Sequence, residues 1–378
     1  MIQKTLLFIG TLFLCCTAMA DEYPSLRAVL DSQSGNAVID IPKGTYILDL
    51  VSVRTPYSFN GKKNVAINGN GSTVICNRQS QAFNFVNCEN VTFSDLYIEY
   101  DPPCSTQGTI TAISGATWDI EIHEGYPVDH LATGRVQVYG KDTRELVRNY
   151  TTTSGSSLTK TGDRTLRLVV NNPSPSVSPG DFVALDVVAE GNTSAHTIIL
   201  NSCKHMRLNN IVVYDSNCFS FLEYDCEATR YYRCQVTRKT DDPKYGVQRL
   251  RAGIADGIHS KFAKIGPTIE ECTIEHSGDD CIAINGNFYP VYRVDEAEKC
   301  IYLLTTSSSL NEVRVKTADH VVCVNNNGTV RGKALAEEVG RAVPSPTRTE
   351  IDGCFGKLTS VVSSGDYRYG VKVKLDNW

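Results

Sequence analysis

The chain has 378 residues and a formal net charge of −5, long enough for two or three structural units and a large core. The charge is mild and no basic stripe is present, so nucleic acid is excluded as an expected partner.

Residues 1–20 read as a cleaved secretory signal. Lys4 supplies the positive end, Leu6 to Cys16 the apolar run, and Ala18-Met19-Ala20 a small-residue cleavage site. The run is too short for a membrane span, so a secreted or periplasmic protein is expected. Removal of Cys15 and Cys16 leaves 12 of the 14 cysteines. None shows C-x-x-C spacing, so a zinc site is not expected.

Residues 21–102 are expected to form an N-terminal cap and the first coils of a β solenoid. A short helix signal covers Pro24 to Ser32, and a strand-like run follows from Ala37 to Leu48. A repeat then begins. Cys88, Val91, Phe93, Leu96 and Ile98 lie at offsets 0, 3, 5, 8 and 10, and Cys203, Met206, Leu208, Ile211 and Val213 repeat them. Cys226, Thr229, Tyr231, Cys234 and Val236 do so again, and from Lys264 the offsets reach Pro267, Ile269, Cys272 and Ile274. Alternate positions in pairs predict two short strands with a bend between them. The 23 residues from Cys203 to Cys226 suit one coil of a parallel-stranded, all-β solenoid. Buried thiols stacked in its core account for the aligned cysteines without chemistry.

Residues 103–192 break the repeat with short alternating runs such as Thr165-Leu-Arg-Leu-Val-Val, which predict an inserted antiparallel β-barrel or sandwich. Coils resume over residues 193–287. The interval from Cys226 to Lys264 is 38 residues, 15 longer than a coil, so Lys239 to Arg251 is expected to be a looped-out excursion, either binding or merely solvated. A second all-β, barrel-like stretch, incomplete as a barrel, is expected over residues 288–378.

The chemistry gathers between Ile254 and Gly286. Asp256 stands in Asp-Gly-Ile-His, and Asp279 and Asp280 stand in Gly-Asp-Asp-Cys-Ile-Ala-Ile. Asp256 and Asp280 are 24 residues apart, one coil, so they are expected to stack on adjacent rungs about 4.8 Å apart. Three carboxylates together are costly unless one holds a proton or the charge is used. Such a set suits glycoside hydrolysis, where one acid protonates the leaving oxygen and another activates water. Aspartates that merely serve turns are the alternative. His259 is a candidate for binding substrate or an acid, with a structural surface histidine as the rival reading. Glu223 and Asp225, on the preceding rung, are candidates for sugar hydroxyls, against simple solvation at the rim.

These motifs resemble the active-site rungs of pectin-lyase-like β-helix glycoside hydrolases. Polygalacturonases of family 28 share the Asp-Gly-Ile and Gly-Asp-Asp-Cys patterns, but their later Gly-His-Gly and Arg-Ile-Lys motifs are missing here. Family 110, the exported bacterial α-1,3-galactosidases, resembles the chain more fully: a signal, β-helix coils, an early inserted β-barrel, Asp256-Gly-Ile-His259, then Gly278-Asp279-Asp280 one coil later. The resemblance implies a right-handed parallel β-helix and an inverting exo-α-galactosidase that removes terminal α-1,3-linked galactose from glycans, without metal or cofactor. It implies Asp279 as general acid, with Asp256 and Asp280 holding and deprotonating the water. Members usually continue past the second barrel into further coils, so a shortened or inactive relative is also expected as a reading. A pectin hydrolase and a non-catalytic carbohydrate-binding protein are the rivals.

Overall fold

The computed structural model describes residues 23–147, 152–188, 195–240, 242–286, 288–310, 313–355 and 367–377. The expected signal lies outside these residues. The chain divides into two units, residues 1–284 and residues 285–378.

The first unit opens with helix α1 (Leu26–Ser32). Ser25 caps it, its hydroxyl accepting from Ala28 N at 3.4 Å. Leu26 and Leu30, one turn apart on one face, are fully buried at the head of the main core.

The chain then alternates between two sheets. One runs through Ala66–Cys76, Thr92–Tyr100, Arg207–Val213, Arg230–Tyr232 and Thr268–Glu270. The other runs through Tyr57–Asn60, Phe83–Val86, Ile198–Asn201, Phe221–Tyr224, Ile258–Lys261 and Ile282–Asn285. Pairing within both is parallel, and each visit to a sheet lies against the previous one. Inward positions stack into columns because side chains alternate along a strand. Phe59 and Phe85 share one column, their rings 4.8 Å apart and stacked. Cys88, Cys203 and Cys226 form another, with Cys88 N donating to Cys203 Sγ at 3.4 Å.

The bends repeat as strictly as the strands. Asn87, Ser202 and Asp225 have φ of 53–56°, as do the neighbouring columns Asn90, His205, Ala228 and Asp95, Asn210, Arg233 at 52–59°. These are offsets −1, +2 and +7 of the repeat. The left-handed region is costly for most side chains and least so for Gly, Asn and Asp. The expected bend between the paired strands is therefore the +7 residue.

The insert is a six-stranded antiparallel sheet in the order Gly155–Lys160, Thr165–Val170, Thr117–Ile122, Ser105–Ser114, Phe182–Val187, Leu131–Tyr139. The two edges meet through a bridge between Val136 and Thr153. Its core contains Trp118, Ile120, Leu168 and Val138. Tyr245, from the Lys239–Arg251 excursion, joins that core, its ring 4.5 Å from Tyr126. The Tyr126 hydroxyl donates to Val247 O at 2.9 Å. The excursion is thus neither a free loop nor a simple solvated one: it fastens the insert to the coils.

The second unit holds a five-stranded antiparallel sheet in the order Val291–Asp295, Cys300–Thr305, Tyr369–Leu375, Val330–Arg341, His320–Val324, with helix α2 (Arg348–Phe355). Among the described residues no helix is long and apolar enough to cross a membrane.

Candidate active site

Two backbone bonds fix the register of the acid rung. Gly257 N donates to Asp280 O and Ile258 N to Cys281 O, both at 3.0 Å. Asp256 therefore lies opposite Asp280 on the adjacent strand. Neither rung tolerates a side chain at its glycine. A Cβ on Gly257 would stand 2.2 Å from Ile274 Cγ2 and 2.6 Å from Cys281 O, and one on Gly278 2.5 Å from Ile254 O.

Asp256 is only 4 % exposed, whereas Asp279 and Asp280 are exposed. Burial pushes the Asp256 carboxyl above the usual aspartate range. The His259 partner opposes that shift, and the charges of Asp279 and Asp280 add to it. A raised acid binds more protons folded than unfolded, so its share of stability is lost as pH climbs from the unfolded value through the raised one.

His259 Nδ1 lies 2.6 Å from Asp256 Oδ2. The ring N–H donates to an ionised carboxylate, and a protonated carboxyl donates to the bare nitrogen. The imidazole is held by stacking: Phe219 lies 4.3 Å from it at 23°, and His196 in turn stacks on the Phe219 ring, 4.5 Å away at 29°. Phe219 N donates to His196 Nδ1 at 3.2 Å. Burial, with Lys261 and His259 adding charge, lowers His196 to about 4, so it is neutral at pH 7.

Glu223 does not join this group. It pairs across the sheet with Leu200 and Ser260, the inward column, while its neighbour Leu222 pairs with His259 on the outward one. It is fully buried and accepts from Ser260 Oγ at 2.5 Å. Burial raises its carboxyl above the usual range. Asp225 sits in the left-handed bend at the far end of the same strand, 7 % exposed and 4.0 Å from Lys264 Nζ. The structure thus brings together Asp256, His259, Asp279 and Asp280, and leaves Glu223 and Asp225 apart, because alternation and the bend turn them elsewhere.

Four further residues surround the acids. Arg135 and Gln137, on the insert strand Leu131–Tyr139, reach the Gly278–Asp279 turn: Arg135 Nη2 is 3.3 Å from Asp279 Oδ2, and Gln137 Nε2 donates to Gly278 O at 2.8 Å. They lie more than 100 residues from the acids in sequence and carried no signal. His196 and Phe219 precede their strands just outside the repeat offsets. Two clefts among the described residues lie elsewhere. One, about 260 Å³, is lined by Lys239, Asp242, Tyr245 and Arg249; the other, about 160 Å³, by Phe288, Tyr289, Thr305 and Tyr367. The acids stand on an open edge, where Ile282 is 45 % and Ile284 61 % exposed.

No protein-family profile matches the chain. It is similar to alpha-1,3-galactosidase B of Akkermansia muciniphila, with 20% identity over 318 residues, 75% of this chain and 39% of that protein. The chain spans about two-fifths of the length of the curated relative it matches. Among solved structures, a protein of Parabacteroides merdae assigned provisionally as a glycosyl hydrolase is 11% identical, with a TM-score of 0.25 over 69% of this chain and 85% of its own. The A-module of the mannuronan C-5 epimerase AlgE4 of Azotobacter vinelandii is 9% identical, with a TM-score of 0.29 over 68% and 54%. Superpositions this loose carry no weight for fold or function.

Proposed function

We propose that the chain is an exported glycoside hydrolase, built as a right-handed parallel β-helix with inserted β-barrels. It acts as an inverting exo-α-galactosidase on terminal α-1,3-linked galactose. The observation that carries the reading is the register of Asp256 against Asp280, with Asp279 beside them and a carboxyl pushed up in their midst. Water enters by general-base help from Asp256 and Asp280 while Asp279 protonates the glycosidic oxygen, a single displacement that needs the acid and base about 6.5–9.5 Å apart. Incubation with α-1,3- and α-1,4-linked galactosides, with NMR of the first product, tests it. Release of β-galactose from the α-1,3 substrate is expected. Release of the α-anomer, or glycan binding without product, refutes it.

A second assignment has one observation in its favour. Asp256 is the buried carboxyl that holds its proton more readily, while Asp279 is ion-paired with Arg135. That suits Asp256 as the acid and Asp279 as the base.

The pH profile separates the two. As a base, Asp256 must be ionised, so the acidic limb of kcat/KM is expected above the ordinary aspartate range. Asp280→Asn removes one neighbouring negative charge, and the limb moves down. If Asp256 is the acid, its raised value governs the alkaline limb instead, and that limb moves down in the variant. A profile unchanged by Asp280→Asn contradicts both.

A further inference from the structure

We propose that Arg135 of the inserted sheet is the positioning residue for Asp279, which makes the insert a working part of the acid rung. This rests on the hydrolase reading above.

One guanidinium ties two rungs together. Arg135 Nη1 donates to Ile254 O, and reaches Gly278 O at 3.4 Å, while Nη2 reaches Asp279 Oδ2 at 3.3 Å. Ile254 leads into Asp256, and Gly278 leads into Asp279. The planar fork of arginine serves divergent acceptors from one side chain, which a lysine ammonium does less well. An exposed ion pair of this kind contributes little to stability; its geometric effect is larger. With 53 % of its side chain exposed, Asp279 without Arg135 is free to rotate away from a substrate.

The fork is itself held. Gln137, two residues on and therefore on the same face of its strand, donates to Gly278 O at 2.8 Å. Its own Oε1 accepts from Arg251 Nη1 at 3.1 Å, and Arg251 Nη2 donates to Asp186 Oδ1 at 2.8 Å. Gln137 and Arg251 are 2 % and 1 % exposed. The Gly278 carbonyl thus takes two donors from the insert, and the turn that presents Asp279 is located from outside the coils.

The test is a double-mutant cycle in the full chain, read as kcat and KM on an unactivated α-1,3-linked galactoside, whose leaving oxygen needs the proton. Arg135→Gln is expected to lower kcat about 10–100-fold, as a misplacement near 1 Å does, with KM within about threefold and the melting temperature unchanged. Arg135→Lys, the variant to rely on if Arg135→Gln fails to fold, recovers part of that loss. On an Asp279→Asn background, Arg135→Gln costs less than about twofold, because both act through one carboxylate. Full additivity of the two losses, or wild-type kcat in Arg135→Gln, overturns the positioning role while the hydrolase reading survives. A wild-type chain that cleaves none of the galactosides overturns that reading, and this role with it.

Discussion

Asp279→Asn lowers turnover of an unactivated α-galactoside by about 10²–10⁴-fold, the range a positioned proton donor supplies. On a dinitrophenyl galactoside, whose leaving group departs without a proton, the same variant recovers most of that loss. Asp256→Asn suffers on both substrates, since water still needs its base. The contrast, not the size of either loss, assigns the roles. If Asp256→Asn is the variant rescued by the activated leaving group, the assignments exchange, as the burial of Asp256 and its 2.6 Å contact with His259 favour. Equal activity of both variants and the wild type removes the acids from the chemistry. The fold should survive either change: Asn is nearly isosteric, and Asp279 is exposed.

Gly278→Ala carries the second large effect. The added methyl meets only backbone: Ile254 O at 2.5 Å, Ile254 C at 2.7 Å and Gly253 O at 3.0 Å. No rotamer relieves that. The rungs must separate, and the bonds Gly278 N to Gly253 O and Gly257 N to Asp280 O, each 3.0 Å, stretch with them. Overpacking of this kind costs about 1–3 kcal/mol, and displacement of the acid turn costs about 100-fold in kcat. Gly266→Ala is the control, because a Cβ there meets nothing within 4 Å. Thermal melts and kcat on the two variants check it. A Gly278→Ala protein as stable and active as Gly266→Ala means that the rungs are not packed as described.

Much of the coil architecture was legible because its physics is periodic. Each coil repeats the same inward positions, so offsets 3, 5, 8 and 10 reveal strands without knowledge of their partners. The 24-residue spacing of Asp256 and Asp280 announced their register for the same reason. Glu223 was harder. Its rung was readable, but the face it occupies depends on the phase of a four-residue strand, where one residue decides between outside and core. A glutamate in an inward column breaks the expected apolar pattern, and hydroxyls of Ser260 opposite and Tyr231 satisfy it. Asp225, read as a candidate for sugar hydroxyls or as a solvated rim residue, stands in a left-handed bend, one residue before the Cys226 repeat position. Arg135 and Gln137 were invisible, since antiparallel pairing within the insert sets their approach to the turn, and nothing near them in sequence points there. The Lys239–Arg251 excursion was found by its length alone, and its anchoring partner, Tyr126, lies in the insert.

The buried charges between insert and coils have an evolutionary consequence. Arg251 and Asp215 come from the coil side, and they find Asp186, Gln137 and the Cys104 amide on or beside the insert. Deleting or swapping the insert as a cassette would strand the Arg251 guanidinium in a low-dielectric seam, since both its partners lie on the insert, whereas Asp215 keeps Arg249, a change far costlier than the loss of one surface loop. The two parts are therefore bound to diversify in concert: recombination that brings in a foreign insert must bring a matching residue at position 251, or it leaves that guanidinium buried without its partners.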